Sequence, residues 1–342
     1  MIDNQYVENF NPKVVFNDAY MALLKLTNLN DVKITKSSIR KYISEIKSFP
    51  SLTLYDMVEL IVKCGGTPKV QKKSVTELSD LHFPAIGHLS KDGKNGSYIT
   101  VVEANDDTIT FWGSDNEVSI RKVSELAQKW SGLAITVHFD ADYQDPDYLF
   151  STEMELKEEA DYKKNIRLTE NFLSPDECRE VIDFCESESL FRPSLVEDLG
   201  DTEKKATESD MRTSFSAVIN VNVENQLIKN IYQRASELCD VKIENIENIQ
   251  CVRYATGQEF EKHFDGDSIN NRFKTLLVYL NEDFEGGETY FPEIDVKIVP
   301  KTGLCLEFDN LDAERDPLIM SMHCGQPVIS GKKYALNIWL QN

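Results

Sequence analysis

The chain has 342 residues, 41% of them hydrophobic and 28% charged, with a net charge of -21 and a pI of about 4.7. That length allows two domains with real cores. So large an acidic excess argues against a nucleic-acid surface, which needs clustered Lys and Arg, and suits a partner that is neutral or basic.

The first eight residues show no basic segment followed by an apolar one, and no run of eighteen apolar residues occurs anywhere. The expectation is a cytoplasmic protein with no membrane partner. Seven cysteines, at 64, 178, 185, 239, 251, 305 and 324, make neither a CxxC pair nor a zinc-type spacing. They read as reduced thiols, mostly filling cores.

Apolar residues at helical spacing over 15–26 and 54–64 predict two buried helices, the second capped by Thr53 and ended by Gly65-Gly66. Then the period shortens. The runs 83–86, 97–102, 108–112 and 133–137 are short, β-branched or aromatic, and separated by Gly, Asn and Asp turns, the pattern of strands. One helix is expected at 121–130. Helices followed by a strand meander predict a small α+β domain over 1–140.

This region resembles the cysteine peptidase domains with which bacteriocin exporters cut leader peptides. The likeness covers 13–139. It lies in the order of an early helix, a second helix ending at Gly65-Gly66, the phrase Leu81-His82-Phe83-Pro84-Ala85-Ile86-Gly87-His88 where the family has a proline-centred strand, paired strands, and a closing Trp130-Ser131-Gly132. The departures bear on chemistry. The family's nucleophile is a cysteine at the start of its first helix, and here no cysteine precedes Cys64. Ser97 stands where the family has its catalytic histidine, and Trp112-Gly113 where it has Asp-Pro. A thiolate nucleophile needs a neighbouring base, so the resemblance implies a pseudo-peptidase that keeps a peptide-binding groove without cutting, or else a stabilising or dimerising appendage. His82, His88 and His138 lack a short ligand spacing and read as structural.

Between 140 and 162, nine acidic residues stand against the single Lys157. Such a stretch predicts a solvated connection, and the domain boundary is placed there, with an acidic linker over 141–163.

The second domain, 164–342, opens with Ser174, Pro175 and Glu177 in the arrangement of a capping box. Cys178, Val181, Ile182 and Cys185 then form one apolar stripe, and a second helix is expected at 224–239. From 247 onward eight strands are expected, at 247–254, 259–264, 273–281, 287–292, 295–299, 303–309, 318–323 and 333–340. Together they predict a mainly β double-stranded β-helix, a jelly roll of the cupin kind with supporting helices.

Within it, His263 and Asp265 lie two apart on an expected strand and so share a face. With a second imidazole from a distant strand, for which His323 is the candidate, they would make the two-histidine, one-carboxylate site of non-haem Fe(II) oxygenases, which leaves coordination positions open.

Residues 164–342 resemble the catalytic domain of prolyl 4-hydroxylases, which are Fe(II)- and 2-oxoglutarate-dependent dioxygenases. The matching phrases, in order, are Asn171-Phe172-Leu173-Ser174, Arg212-Thr213-Ser214, Arg253-Tyr254 through Asp265, Thr275 through Asn281, Gly286-Gly287-Glu288-Thr289-Tyr290-Phe291-Pro292, Pro300-Lys301-Thr302-Gly303, and His323 through Tyr334. The resemblance implies iron ligands at His263, Asp265 and His323, and 2-oxoglutarate and dioxygen as cosubstrates. It implies Lys333 as partner of the distal carboxylate of 2-oxoglutarate, helped by the hydroxyls of Tyr254 and Thr275. Lys332 competes for that role, but alternation aims it outward. Arg212 is a candidate substrate contact or, equally, a salt-bridge residue within the fold. Tyr334 stands where the family has a tryptophan, the loop 266–272 is short and polar, and 187–210 reads as a mobile lid. These departures touch substrate choice. The expected function is hydroxylation of a peptide or protein, prolyl as first choice, with the N-terminal domain recruiting the substrate, for which a leader-bearing precursor peptide is the candidate. The alternatives are hydroxylation of a non-prolyl residue or a free metabolite, and a non-catalytic peptide-binding scaffold. Oligomeric state is left open.

Overall fold

The computed structural model describes residues 14, 17–49, 51–90, 96–113, 118–197, 206–207, 212–267, 270–313 and 315–341. The chain divides into two compact units, Met1–Glu158 and Glu159–Asn342.

In the first unit, α1 (Asp18–Leu29) begins where the Asn17 side chain accepts from the Ala19 amide. The next helix, α2 (Lys36–Ser44), was not expected, because its inner face carries only Ile39 and Ile43 as large apolar residues. In α3 (Leu54–Lys63) the Thr53 cap forms a full capping box with Asp56. The strands β1 (Gly66–Lys72), β2 (Ala85–Ser90), β3 (Gly96–Ala104), β4 (Thr108–Trp112) and β5 (Val118–Lys122), the short α4 (Val123–Leu126) and β6 (Trp130–Phe139) follow. The six strands make one antiparallel sheet in the order β1-β6-β2-β3-β4-β5. The helix expected at 121–130 is cut to a single turn because 118–122 pairs with β4 instead. Backbone pairing along a sheet outweighs weak local propensity.

The acidic stretch 141–163 is folded. Asp145 is buried and accepts from the Tyr42 hydroxyl at 2.5 Å and the Ser38 hydroxyl at 3.2 Å, and α5 (Tyr148–Asn165) follows. Of the five acidic residues on that helix, Glu153, Glu158 and Asp161 are exposed and Glu155 and Glu159 half-buried, so only part of the charge run marks solvated helix surface.

The second unit contains β7 (Arg167–Thr169), α6 (Pro175–Ser187), β8 (Arg192–Pro193), β9 (Val196–Glu197) paired with β10 (Ala206–Thr207), β11 (Phe215–Ile219) and α7 (Gln226–Cys239). It continues with β12 (Ile249–Ala255), β13 (Phe260–His263), β14 (Arg272–Tyr279), β15 (Glu285–Gly286), β16 (Thr289–Phe291), β17 (Val296–Ile298), β18 (Cys305–Asp309), β19 (His323–Gly325), β20 (Val328–Ser330) and β21 (Lys332–Gln341). The expected box at the start of α6 is present, with the Ser174 side chain accepting from the Glu177 amide and Glu177 answering on the Ser174 amide at 2.8 Å. Of 187–210, expected to form a lid, residues 198–205 and 208–210 lie outside the described residues.

A seven-stranded sheet, β7-β18-β14-β21-β12-β11-β8, and a four-stranded sheet, β13-β19-β16-β17, make the double-stranded β-helix. Alternation divides the large sheet. Tyr334, Leu336, Ile338 and Leu340 of β21 pack with Leu276, Val278 and Cys251 against α6 and α7. The other face carries Val252, Tyr254, Thr275, Leu277, Lys333 and Asn337, which line a cavity. A one-residue slip of β21 would exchange these two sets.

One expected strand is corrected. Residues 318–323 hold a 3-10 turn, Ile319–Ser321, and the strand begins at His323. The segment lacks β-branched residues apart from Ile319, and the Ser321 hydroxyl donates to the Leu318 carbonyl at 2.7 Å, closing a local turn that competes with a ladder. None of the seven cysteines is in a disulfide, and five of them are buried. No described helix is long and apolar enough to cross a membrane.

Candidate active site

Three side chains converge at one end of the cavity. His263, at the end of β13, lies directly opposite His323 at the start of β19, with ring centroids 4.3 Å apart. Asp265 follows two residues after His263, where β13 has ended, and turns its carboxylate towards both rings. His263 Nε2 lies 3.6 Å from Oδ1 and His323 Nε2 3.7 Å from Oδ2. Among the described residues, these are the three whose potential ligand atoms all fall within 4.8 Å of one another.

Each imidazole is oriented from behind. His263 Nδ1 is 2.7 Å from the Glu261 carbonyl and His323 Nδ1 2.9 Å from the Ser321 carbonyl. A carbonyl only accepts, so each Nδ1 carries the proton and each Nε2 presents a lone pair to the centre, as metal-ligating histidines do. Aromatic walls fix the rings. Phe260 stacks on His263, while Phe308 meets His323 edge-on at 4.9 Å.

The charge states suit a metal. Burial, and then the neighbouring His263, pushes His323 down to about 4, so it is neutral near pH 7. Burial works against the Asp265 carboxylate, but His323, His263 and the Thr275 hydroxyl together hold it well below the usual carboxylate range. Two neutral nitrogens and one carboxylate oxygen are the donor set that holds Fe(II) with open positions. The residues therefore fit that metal.

Deeper in, Lys333 is 4% exposed. Its ammonium donates to the Gly287 carbonyl at 2.7 Å and lies 5.3 Å and 5.6 Å from the ring centres of Tyr254 and Tyr279. Among the described residues no carboxylate pairs with it within 4 Å, and burial lowers it to about 8 despite the pull of Glu288. A buried cation without an anion is costly, and a small dicarboxylate relieves the cost. Lys332, by contrast, is exposed.

Tyr254 lines the same cavity, directly across the ladder from Lys333. Thr275, expected at the cosubstrate, has a different partner, donating to Asp265 Oδ2 at 2.7 Å. The sequence reading missed Tyr279, whose hydroxyl donates to Thr289 Oγ1 at 2.7 Å beside Lys333. Its signal was available, since Tyr279 lies four residues after Thr275 on one strand and so shares its face. Arg212 is buried, bonded to Ser214 and Ser216 at 3.2 Å and 3.3 Å and lying over the Phe260 ring. Among the described residues no carboxylate pairs with it.

The model of the 2OG-Fe(II) oxygenase superfamily matches residues 249–341, and that of the Peptidase C39 family matches 23–142. A prolyl 4-hydroxylase candidate of Acanthamoeba polyphaga mimivirus is 31% identical over 184 residues, half of this chain and 72% of the relative. The chain belongs to the 2OG-Fe(II) oxygenase superfamily. Prolyl 4-hydroxylase 1 of Arabidopsis thaliana is 32% identical over 210 residues, covering 54% of this chain and 71% of the relative. A viral collagen prolyl hydroxylase structure from Paramecium Bursaria Chlorella virus-1 is 30% identical, covering 51% of this chain and 94% of that one at a TM-score of 0.42. This oxygenase is a 2-oxoglutarate-dependent dioxygenase of the prolyl 4-hydroxylase type, and its family uses Fe(II), 2-oxoglutarate and dioxygen.

The N-terminal unit of the oxygenase holds the Peptidase C39 match, and no cysteine precedes Cys64 in the sequence. Cys64 sits buried at the end of α3, where burial pushes its thiol up to about 12. It stays a thiol at neutral pH and offers no nucleophile.

Proposed function

We propose that the oxygenase hydroxylates a peptide or protein substrate, with proline as the residue modified, at a site whose ligands are His263, Asp265 and His323. The dioxygenase domain spans 164–342, and the peptidase-like domain, over 1–140, recruits the substrate. The observation that carries the reading is the pairing, within one cavity, of a three-ligand cluster with the buried Lys333 ammonium.

The chain's own groups have distinct tasks. The two Nε2 atoms and the Asp265 carboxylate hold the metal, while Lys333 anchors the distal carboxylate of 2-oxoglutarate by a charge-assisted contact in low dielectric. Tyr254 and the Tyr279-Thr289 hydroxyl pair flank that carboxylate. When bound, iron with 2-oxoglutarate and dioxygen supplies the oxidation that replaces a C–H hydrogen with hydroxyl, giving succinate and carbon dioxide. Phe260, Phe308 and Leu277 keep water from the reacting end. Arg212, behind Phe260, is the proposed contact for the peptide.

The Peptidase C39 match supports the recruiting role, because the resemblance to leader peptidases implies a domain that binds a peptide. Binding a leader there would raise the local concentration of the attached core peptide. The test gives the full chain iron, 2-oxoglutarate and a proline-containing precursor, with and without its leader. Mass spectrometry should find one added oxygen on proline, with KM at least tenfold lower when the leader is attached. Oxygen on another residue moves the specificity, and equal KM values remove the recruiting role.

A further inference from the structure

Asp265 lies beyond the end of its strand, where no ladder fixes its carboxylate. What holds it instead is a line of buried groups. Oδ2 accepts from the Thr275 hydroxyl at 2.7 Å, and that hydroxyl in turn accepts from Asn310 Nδ2 at 2.8 Å. Thr275 is 1% exposed and Asn310 wholly buried. A threonine hydroxyl has one proton. Since it goes to the carboxylate, Asn310 must turn its NH2 to Thr275, and its Oδ1 is left buried with no hydrogen-bond partner among the described residues.

An orphaned buried carbonyl oxygen costs about 1–3 kcal/mol. Reversing the amide would relieve Oδ1 only if Thr275 withdrew its proton from Asp265, and the structure keeps the costly arrangement. The main chain is held too. The Asp265 carbonyl accepts from Asn270 Nδ2 at 3.1 Å and from an Arg272 nitrogen at 3.4 Å, and Arg272 is gripped by Glu247 at 2.6 Å and 2.8 Å. Gly266 allows the close approach, because a Cβ there would come within 2.9 Å of Asn310 Cβ and 2.1 Å of the Arg272 carbonyl.

We propose that Asn310 and Thr275 are positioning residues for the metal ligand Asp265, a relay that fixes the rotation of its carboxylate so that Oδ1 is turned to His263 and Oδ2 to His323. The inference rests on the iron-site reading given above, and it assigns Thr275 to the metal side of the site instead of the cosubstrate side. Outer partners of ligating groups are typically worth about 10- to 100-fold in metal affinity.

The near-isosteric Thr275→Val removes the hydroxyl, and Thr275→Ser retains it. Anaerobic Fe(II) titration of the full chain should show a dissociation constant raised about 10- to 100-fold in the valine variant and restored to within about threefold in the serine variant. Affinity for 2-oxoglutarate at saturating iron should stay close to wild type in both. Thermal unfolding confirms that each variant is folded. If Thr275→Val does not fold, Asn310→Ala carries the same expectation. Unchanged iron affinity in a folded valine variant overturns the relay, as does a loss confined to 2-oxoglutarate. Wild-type iron binding by His263→Ala would instead overturn the iron-site reading itself.

Discussion

Replacing Lys333 by Met should disable cosubstrate binding while sparing the metal. At 4 Å and an effective dielectric near 20, two unit charges attract by about 4 kcal/mol. Stripping water from the carboxylate offsets part of this, leaving roughly 2–3 kcal/mol, or about 30- to 150-fold in dissociation constant. The assay is anaerobic titration of 2-oxoglutarate into the iron-loaded protein, read from the weak visible charge-transfer band of the chelate, with Fe(II) affinity measured separately. The pH dependence follows from the burial that lowers Lys333 to about 8. An incoming carboxylate raises that value, so the complex takes up a proton wherever the free lysine has lost one. Affinity should be flat below pH 8 and fall about tenfold per pH unit above it. Lys333→Arg, charged throughout this range, should bind less well at neutral pH but show no such fall. An affinity within threefold of wild type in Lys333→Met, or the same fall in Lys333→Arg, would refute the anchoring role.

Two further outcomes are expected. Arg212→Ala should raise KM for the peptide about tenfold or more, as for a lost charge-assisted contact, while 2-oxoglutarate turnover without peptide stays unchanged; equal losses in both would make Arg212 a structural residue. Hydrogen bonding to Arg234 and to the Ser174 cap brings Glu177 down to about 2. Its contribution is therefore full above the unfolded value of about 4.3 and lost as pH falls towards 2. Glu177→Gln should cost only about 0.5–1 kcal/mol, because the pair is partly exposed and screened, and urea unfolding should show that difference shrinking between pH 5 and pH 3.

Much of the oxygenase unit was legible because its signals are local. The capping box at Ser174 and the apolar stripe from Cys178 to Cys185 need only a few neighbouring residues, and both formed. The less legible parts depended on partners far along the chain. The helix expected at 121–130 lost its first residues to pairing with β4, and α2 forms on two apolar residues because a core was there to receive them. The run of acids at 140–162 read as a connection because charge pattern alone cannot show that Asp145 is buried against Tyr42 and Ser38.

The His263 and Asp265 pair shows the division most clearly. The sequence by itself determined that an imidazole and a carboxylate stand two apart and that His323 and Lys333 follow ten apart, but the strand ends at His263, so alternation is not what carries Asp265 to the site. Only the tertiary structure decided that His323 stands opposite His263, that Lys333 is buried with no described carboxylate paired to it, and that Thr275 turns to Asp265. The physical reason is range. A hydroxyl's single proton goes to whichever acceptor the fold brings within about 3 Å, and no spacing in the chain records which acceptor that will be.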